Sequence, residues 1–85
     1  MGRNHVRNNI RTQRFHAGEM TQQALATKVG VTRQTVIAIE QAKYAPSLDL
    51  AFRIARVFDL PLEEVFQYEP EGFADPSGGD ANQQE

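Results

Sequence analysis

The chain has 85 residues, no cysteine, 40% hydrophobic and 24% charged residues, and a formal net charge of −2. That length suits one small domain with a modest core, which gains stability from a partner subunit. Disulfides and thiolate metal sites are excluded, no apolar run approaches the ~20 residues of a bilayer-spanning helix, and the N-terminal MGRNHVRNN lacks the apolar centre of a signal peptide. The expected location is the cytoplasm. The mean charge hides a division. All nine Lys and Arg lie in residues 1–56 beside three acids (Glu19, Glu40 and Asp49), whereas residues 57–85 hold eight acids and no Lys or Arg. A basic domain followed by an acidic segment is a different electrostatic object from a weakly acidic protein.

In chain order, residues 8–17 read as a first helix with Val6, Ile10, Phe15 and Ala17 available to the core, although Gln13 and Arg14 interrupt the period. Arg3–Val6 reads equally as an extended arm. Gly18 ends this element, and Met20 precedes Thr21 as a hydrophobic staple precedes a cap. Thr21–Glu40, TQQALATKVGVTRQTVIAIE, carries the strongest signal. Thr21 caps a helix whose Leu25, Ala26 and Val29 share a face. Gly30 supplies the positive φ of its end, and Thr32 caps a further helix over 32–41 with Val36 and Ile39 inward. Arg33, Gln34 and Thr35 then occupy the outer first turn. Two helices joined this way are the sequence form of a helix-turn-helix.

The loop QAKYAP follows, and Ser47 caps a fourth helix that runs to about Phe58. Only Asp49, Arg53 and Arg56 interrupt its apolar surface, a width that implies contact on two sides. Pro61 opens a short fifth helix through Phe66, with Glu63 and Glu64 at its positive end. Phe66–Glu69 alternates apolar and polar as a short strand does. From Glu71 the composition turns to Gly, Asp, Ser, Pro, Asn and Gln, so the expected organisation is a domain over 1–70 and a disordered acidic tail over 71–85. His5 and His16 have no cysteine or paired carboxylate at catalytic or metal-ligand spacing. No enzyme, metal site or cofactor is expected.

Residues Gln22–Phe66 resemble the phage repressor and Cro (Xre-type) helix-turn-helix family. The matching residues run from Thr21-Gln22 through Leu25-Ala26, Gly30-Val31-Thr32-Arg33 and Ile39-Glu40, and on to KYAPSL and LPLEEVF. The run through EEVFQYEPE is similar to a compact subgroup of dimeric bacterial repressors of the cytolysin-repressor type. The resemblance implies an all-α, five-helix domain with a small two-stranded sheet formed by the N- and C-terminal segments. It assigns Gln22 to a DNA phosphate and Arg33 and Gln34 to base edges. Arginine suits guanine O6 and N7, and glutamine suits adenine N7 and N6.

Thr32 and Thr35 are capping residues or contacts to phosphate and thymine methyl groups, with capping the main role of Thr32. Ile37 and Ala38 lie on the exposed side of the same helix, where Ile37 either meets a thymine methyl or packs on a neighbour. Lys43 and Tyr44 fall in the loop that, in the family, follows the DNA backbone, with Asn8 and Asn9 as weaker candidates for that role. Arg14 and Glu40 match a family ion pair joining the first helix to the end of the recognition helix, a role that competes with a DNA contact for Arg14 and is preferred to it. Leu60, Leu62, Val65, Phe66 and Tyr68 are the expected dimer contacts. Three departures stand out: a longer turn at Gly18-Glu19-Met20, Gln13 where an apolar residue is frequent, and Ala42 in place of a frequent glycine.

The expected function is a homodimeric, sequence-specific DNA-binding regulator, a repressor on a palindromic operator. The alternative is an antitoxin or other protein-interaction module using the same fold, with the acidic tail ordering on a basic protein partner.

Overall fold

The computed structural model of this chain describes residues 5–70. Along them run β1 (Val6–Asn8), α1 (Ile10–His16), α2 (Gln22–Val29), α3 (Arg33–Glu40), α4 (Leu48–Val57), α5 (Leu62–Val65) and β2 (Phe66–Tyr68). The five expected helices are present. The terminal strands pair antiparallel, with Val6 opposite Tyr68 and Asn8 opposite Phe66. The acidic segment 71–85 and Arg3 of the expected arm lie outside the described residues.

Local chemistry sets the helix boundaries. Thr21, Thr32 and Ser47 adopt extended backbone, and each side-chain oxygen accepts from the N–H three residues on, at 2.9, 3.1 and 3.1 Å respectively. Each such cap contributes about 1 kcal/mol. The helix ends use one device repeatedly, a left-handed residue that turns the chain so that the next N–H returns to a carbonyl of the last turn. Gly30 serves α2 at φ 80°, and the Val31 N–H returns to the Ala26 carbonyl at 3.0 Å. At α3 the same role falls on Ala42 at φ 58°. Its own N–H reaches the Ile39 carbonyl at 2.9 Å, and the Lys43 N–H reaches Ala38 at 3.0 Å. Asp59 does likewise after α4, at φ 58°.

The core gathers one face of each helix. Ile10, Leu25, Val29, Val36, Ile39, Ile54 and Val65 are essentially inaccessible, and Met20, Val31 and Phe58 pack against them from the rim. On α4, Leu50, Ala51, Ile54 and Ala55 turn inward, while Leu48 and Phe52 remain 66% and 49% exposed. The second apolar side anticipated for this helix is therefore real, and it is open in the single chain.

The first helix departs from expectation. It begins at Ile10 rather than residue 8, because Val6–Asn8 is drawn into the sheet. Phe15 does not face the core but is 64% exposed, and Ala17 is exposed. The reason is angular. At about 100° per residue, Phe15 lies roughly 140° around the helix from the buried Ile10, whereas Gln13 and Arg14 lie near it. The polar interruption in the sequence is the inward face itself, and Arg14 uses it.

Asn8 fastens these parts together. Its Oδ1 accepts from the Ile10 N–H at 3.1 Å, and its Nδ2 donates to the Ile39 carbonyl at 2.8 Å. The sheet, the start of α1 and the end of α3 thus meet at one side chain.

Alanine at φ 58° is strained, because its Cβ crowds the following carbonyl in the left-handed region. Ala42→Gly is expected to raise stability by about 0.5–1 kcal/mol, seen as a melting temperature several degrees higher in thermal denaturation.

Candidate nucleic-acid interface

The interface is built on α3, whose two faces have opposite characters. Val36 and Ile39 are 1% exposed and fix its inner side. At about 100° per residue, Gln34, Ile37 and Ala38 lie opposite them and Arg33 lies on the flank beside that outer side. Arg33 and Gln34 are exposed and make no hydrogen bond or ion pair to any described residue, while Ile37 and Ala38 are half-buried at the same surface. Their donors and acceptors are therefore uncommitted, as base reading requires.

Thr32 and Thr35 are more occupied. Thr32 Oγ1 accepts from the Thr35 N–H at 3.1 Å and lies 3.0 Å from Thr35 Oγ1. Thr32 is thus a cap, as expected. Beyond the helix, Lys43 and Tyr44 are exposed in the loop, with Tyr44 at 46%.

An ion pair fixes the far end of α3. Arg14 Nε donates to Glu40 Oε2 at 2.7 Å and Arg14 Nη2 to Glu40 Oε1 at 3.1 Å, while Arg14 Nη1 donates to the Met20 carbonyl at 2.8 Å. The Arg14 and Glu40 side chains are only 15% and 9% exposed. Glu40 is badly placed for the negative end of its helix, and the guanidinium offsets this directly. Gln22 joins the same group, its Nε2 donating to Glu40 Oε1 at 3.1 Å. This refines the expectation for Gln22: one amide N–H is held inside the protein, and the rest of the amide stays at the surface of α2's first turn. Asn8 and Asn9 stand apart from this group. Asn8 is committed at both ends of its amide, and Asn9 Oδ1 is buried.

A cleft of about 610 Å³ opens between α1, the start of α2 and the outer side of α3, with Arg11, Gln22, Gln23, Arg33, Ile37 and Glu40 on its walls. Glu40 is neutralised by Arg14, so Arg11 and Arg33 leave the cleft positive. Sequence reasoning did not single out Arg11 or Gln23. The signal for Arg11 was its position three residues before Arg14, which places the two on one side of α1.

The expected dimer residues divide. Leu62, Phe66 and Tyr68 line a common apolar groove with Val6, Pro46 and Leu48. Leu60 lies apart, beside Arg56, Asp59 and Pro61. Val65 is 0% exposed, so it belongs to the core of the single chain and has no surface to offer a partner.

Removing the Glu40 carboxylate leaves the Arg14 guanidinium buried without its partner. Glu40→Ala is expected to lower stability by about 3–5 kcal/mol in chemical denaturation, and Glu40→Gln, which keeps an acceptor for Arg14, by clearly less.

Comparison with known proteins agrees with this geometry. Residues 10–65 match a family model described as helix-turn-helix. An uncharacterised HTH-type transcriptional regulator of Methanocaldococcus jannaschii is 58% identical over 50 residues, covering 59% of this chain and 76% of that protein. Another from Archaeoglobus fulgidus is 48% identical over 66 residues, covering 78% and 93% respectively. The Bacillus subtilis HTH-type regulator YgzD is 44% identical over 66 residues, covering 78% and 98%. Among solved structures, a candidate DNA-binding protein from Bacteroides fragilis superposes with a TM-score of 0.64 at 21% identity, covering 73% of this chain and 98% of that one, a likeness of fold. With the two helices, the turn at Gly30 and the uncommitted outer face of α3 in place, the chain belongs to the Xre-type helix-turn-helix family of DNA-binding regulators.

Proposed function

We propose that the chain is a sequence-specific transcriptional repressor of the cytoplasm, in which residues up to 70 bind a palindromic operator as a two-fold dimer. The observation that carries this reading is the outer face of α3. Arg33 and Gln34 stand there without a partner among the described residues, beside a capped helix start, on a helix held at its other end by Arg14. Inserted into the major groove, Arg33 would meet a guanine edge and Gln34 an adenine edge. Ile37 and Ala38 offer apolar surface to thymine methyl groups. Lys43, Tyr44 and the free part of the Gln22 amide would lie along phosphates and set the helix in register. A dimer occupying a promoter in this way represses by excluding the transcription machinery.

The apolar groove supports dimerisation. Leu48 and Tyr68, at 66% and 68% exposure, flank its floor of Val6, Pro46, Leu62 and Phe66. The groove includes Ala45 and Pro46, in the same loop that carries Lys43 and Tyr44. A second copy seated on it would therefore fix the separation of the two α3 helices, which must be ~34 Å for half-sites one helical turn apart. The alternative reading as a protein-interaction module drew on the acidic segment 71–85, which lies outside the described residues.

Selection from a random duplex pool should return a symmetric site. Arg33→Ala should then lose about 1–3 kcal/mol of discrimination at one base pair per half-site, while Lys43→Ala weakens all sequences alike. Recovery of no sequence preference would overturn the reading. For the dimer, sedimentation equilibrium at micromolar concentration should give the mass of two chains, falling to one for Leu48→Glu or Tyr68→Glu. A wild-type mass of one chain at every concentration would contradict it.

A further inference from the structure

We infer that Arg11, which lies on α1 outside the helix-turn-helix motif, is a DNA-phosphate contact that closes one side of the cleft against the backbone read by α3. The inference deepens the DNA-binding reading above and rests on it.

The described arginines differ in what holds them. Arg7 meets Glu69, Arg14 is committed to Glu40 and the Met20 carbonyl, and Arg53 is committed to Asp49 and the Val29 carbonyl. The Arg11 side chain is exposed and has no hydrogen bond or ion pair to any described residue, and the same is true of Arg33 across the cleft and of Arg56, which lies away from the cleft beside Leu60 and Pro61. The one carboxylate on the cleft wall, Glu40, is neutralised by the Arg14 fork. Among the described residues, two guanidinium groups without a partner thus face a space whose one carboxylate is already neutralised.

The floor of that space adds hydrogen-bond donors. It is formed by Thr21, Gln22 and Gln23, where the Thr21 hydroxyl is already taken by the Ala24 N–H at 2.9 Å. The Gln22 and Gln23 backbone N–H groups, at the first positions of α2, have no acceptor among the described residues. Such a lining selects an anion, and a planar guanidinium grips phosphate oxygens through paired N–H bonds.

Geometry separates the roles of the two arginines. Arg33 is in the first turn of α3, the part of the helix that enters the groove, and belongs to base reading. Arg11 is carried by a different helix on the opposite wall, so it meets the strand that borders the groove rather than the base edges. It therefore positions without specifying. The consequence is a footprint one phosphate longer per subunit than the helix-turn-helix and its following loop provide.

The test measures binding to the duplex recovered by selection, and to a scrambled duplex, as a function of salt for the full chain. Wild type, Arg11→Ala and Arg11→Lys are compared, with circular dichroism melting of each to verify folding. A phosphate contact predicts that Arg11→Ala binds both duplexes more weakly by the same factor. It also predicts that log K against log salt becomes shallower by about 0.9 per subunit. Arg11→Lys, which keeps the charge, should restore most of that slope, and the selected sequence should not change. Equal affinity and slope for wild type and Arg11→Ala overturn the inference while leaving the DNA reading intact. So does a loss confined to the selected duplex, which would make Arg11 a base reader. If wild type itself binds neither duplex at low salt, the parent reading fails and this one with it.

Discussion

The bidentate contact between Arg14 and Glu40 is the constraint on which the rest of this structure depends. Three segments meet there: α1 through the guanidinium, the turn before α2 through the Met20 carbonyl, and the end of α3, 26 residues on from Arg14, through the carboxylate. Gln22 extends the contact to the start of α2. Buried ion pairs add little net stability over apolar packing, because desolvating two charges costs about what their attraction returns. Their value lies in geometry. An apolar contact at this position would tolerate rotation of α3 about its axis, whereas a fork to a carboxylate does not. Asn8 holds the same turn of α3 from the other side, through the Ile39 carbonyl. The helix whose outer face carries Arg33 and Gln34 is thus fixed at its end by two polar clamps and along its length by Val36 and Ile39.

The same economy explains why so small a chain holds a defined recognition surface. Its core is a thin layer of side chains, and several helix ends are set by capping hydroxyls and left-handed turns instead of extensive packing. The terminal strands do two things at once. They bring Asn8 to α3, and they set Phe66 and Tyr68 beside the apolar groove at the start of α4. The outer face of α3 proposed for read-out and the groove proposed for assembly are therefore joined by a short loop, Gln41–Ser47. A change in how two copies meet would be transmitted to the spacing of their recognition helices with little slack.

Much of this was legible in the residues themselves. The caps at Thr21, Thr32 and Ser47, the end at Gly30 and the inward Leu25, Val29, Val36 and Ile39 follow from local chemistry and helical period, and all appear in the structure. The Arg14–Glu40 pair came from family resemblance, not from spacing, since contacts across 26 residues leave no periodic trace. The first helix was misjudged because its inward face is polar. Periodicity counts apolar residues, so it promoted Phe15 and demoted Arg14. Val65 was assigned to an interface for a related reason: an apolar residue in a short helix looks the same whether its own core or a partner covers it. Arg11 was passed over because an exposed arginine acquires meaning only from what stands across the cleft.

The central claim is that the outer face of α3, with the start of α2 and the loop after α3, is the surface that meets DNA. Chemical-shift mapping of the labelled protein titrated with its selected duplex tests this residue by residue. The account predicts that the largest changes fall at Gln22, Arg33, Gln34, Ile37 and Lys43, with Leu25, Val36 and Ile54 little affected. Changes centred on the groove of Leu48, Leu62 and Tyr68, with α3 silent, would contradict it.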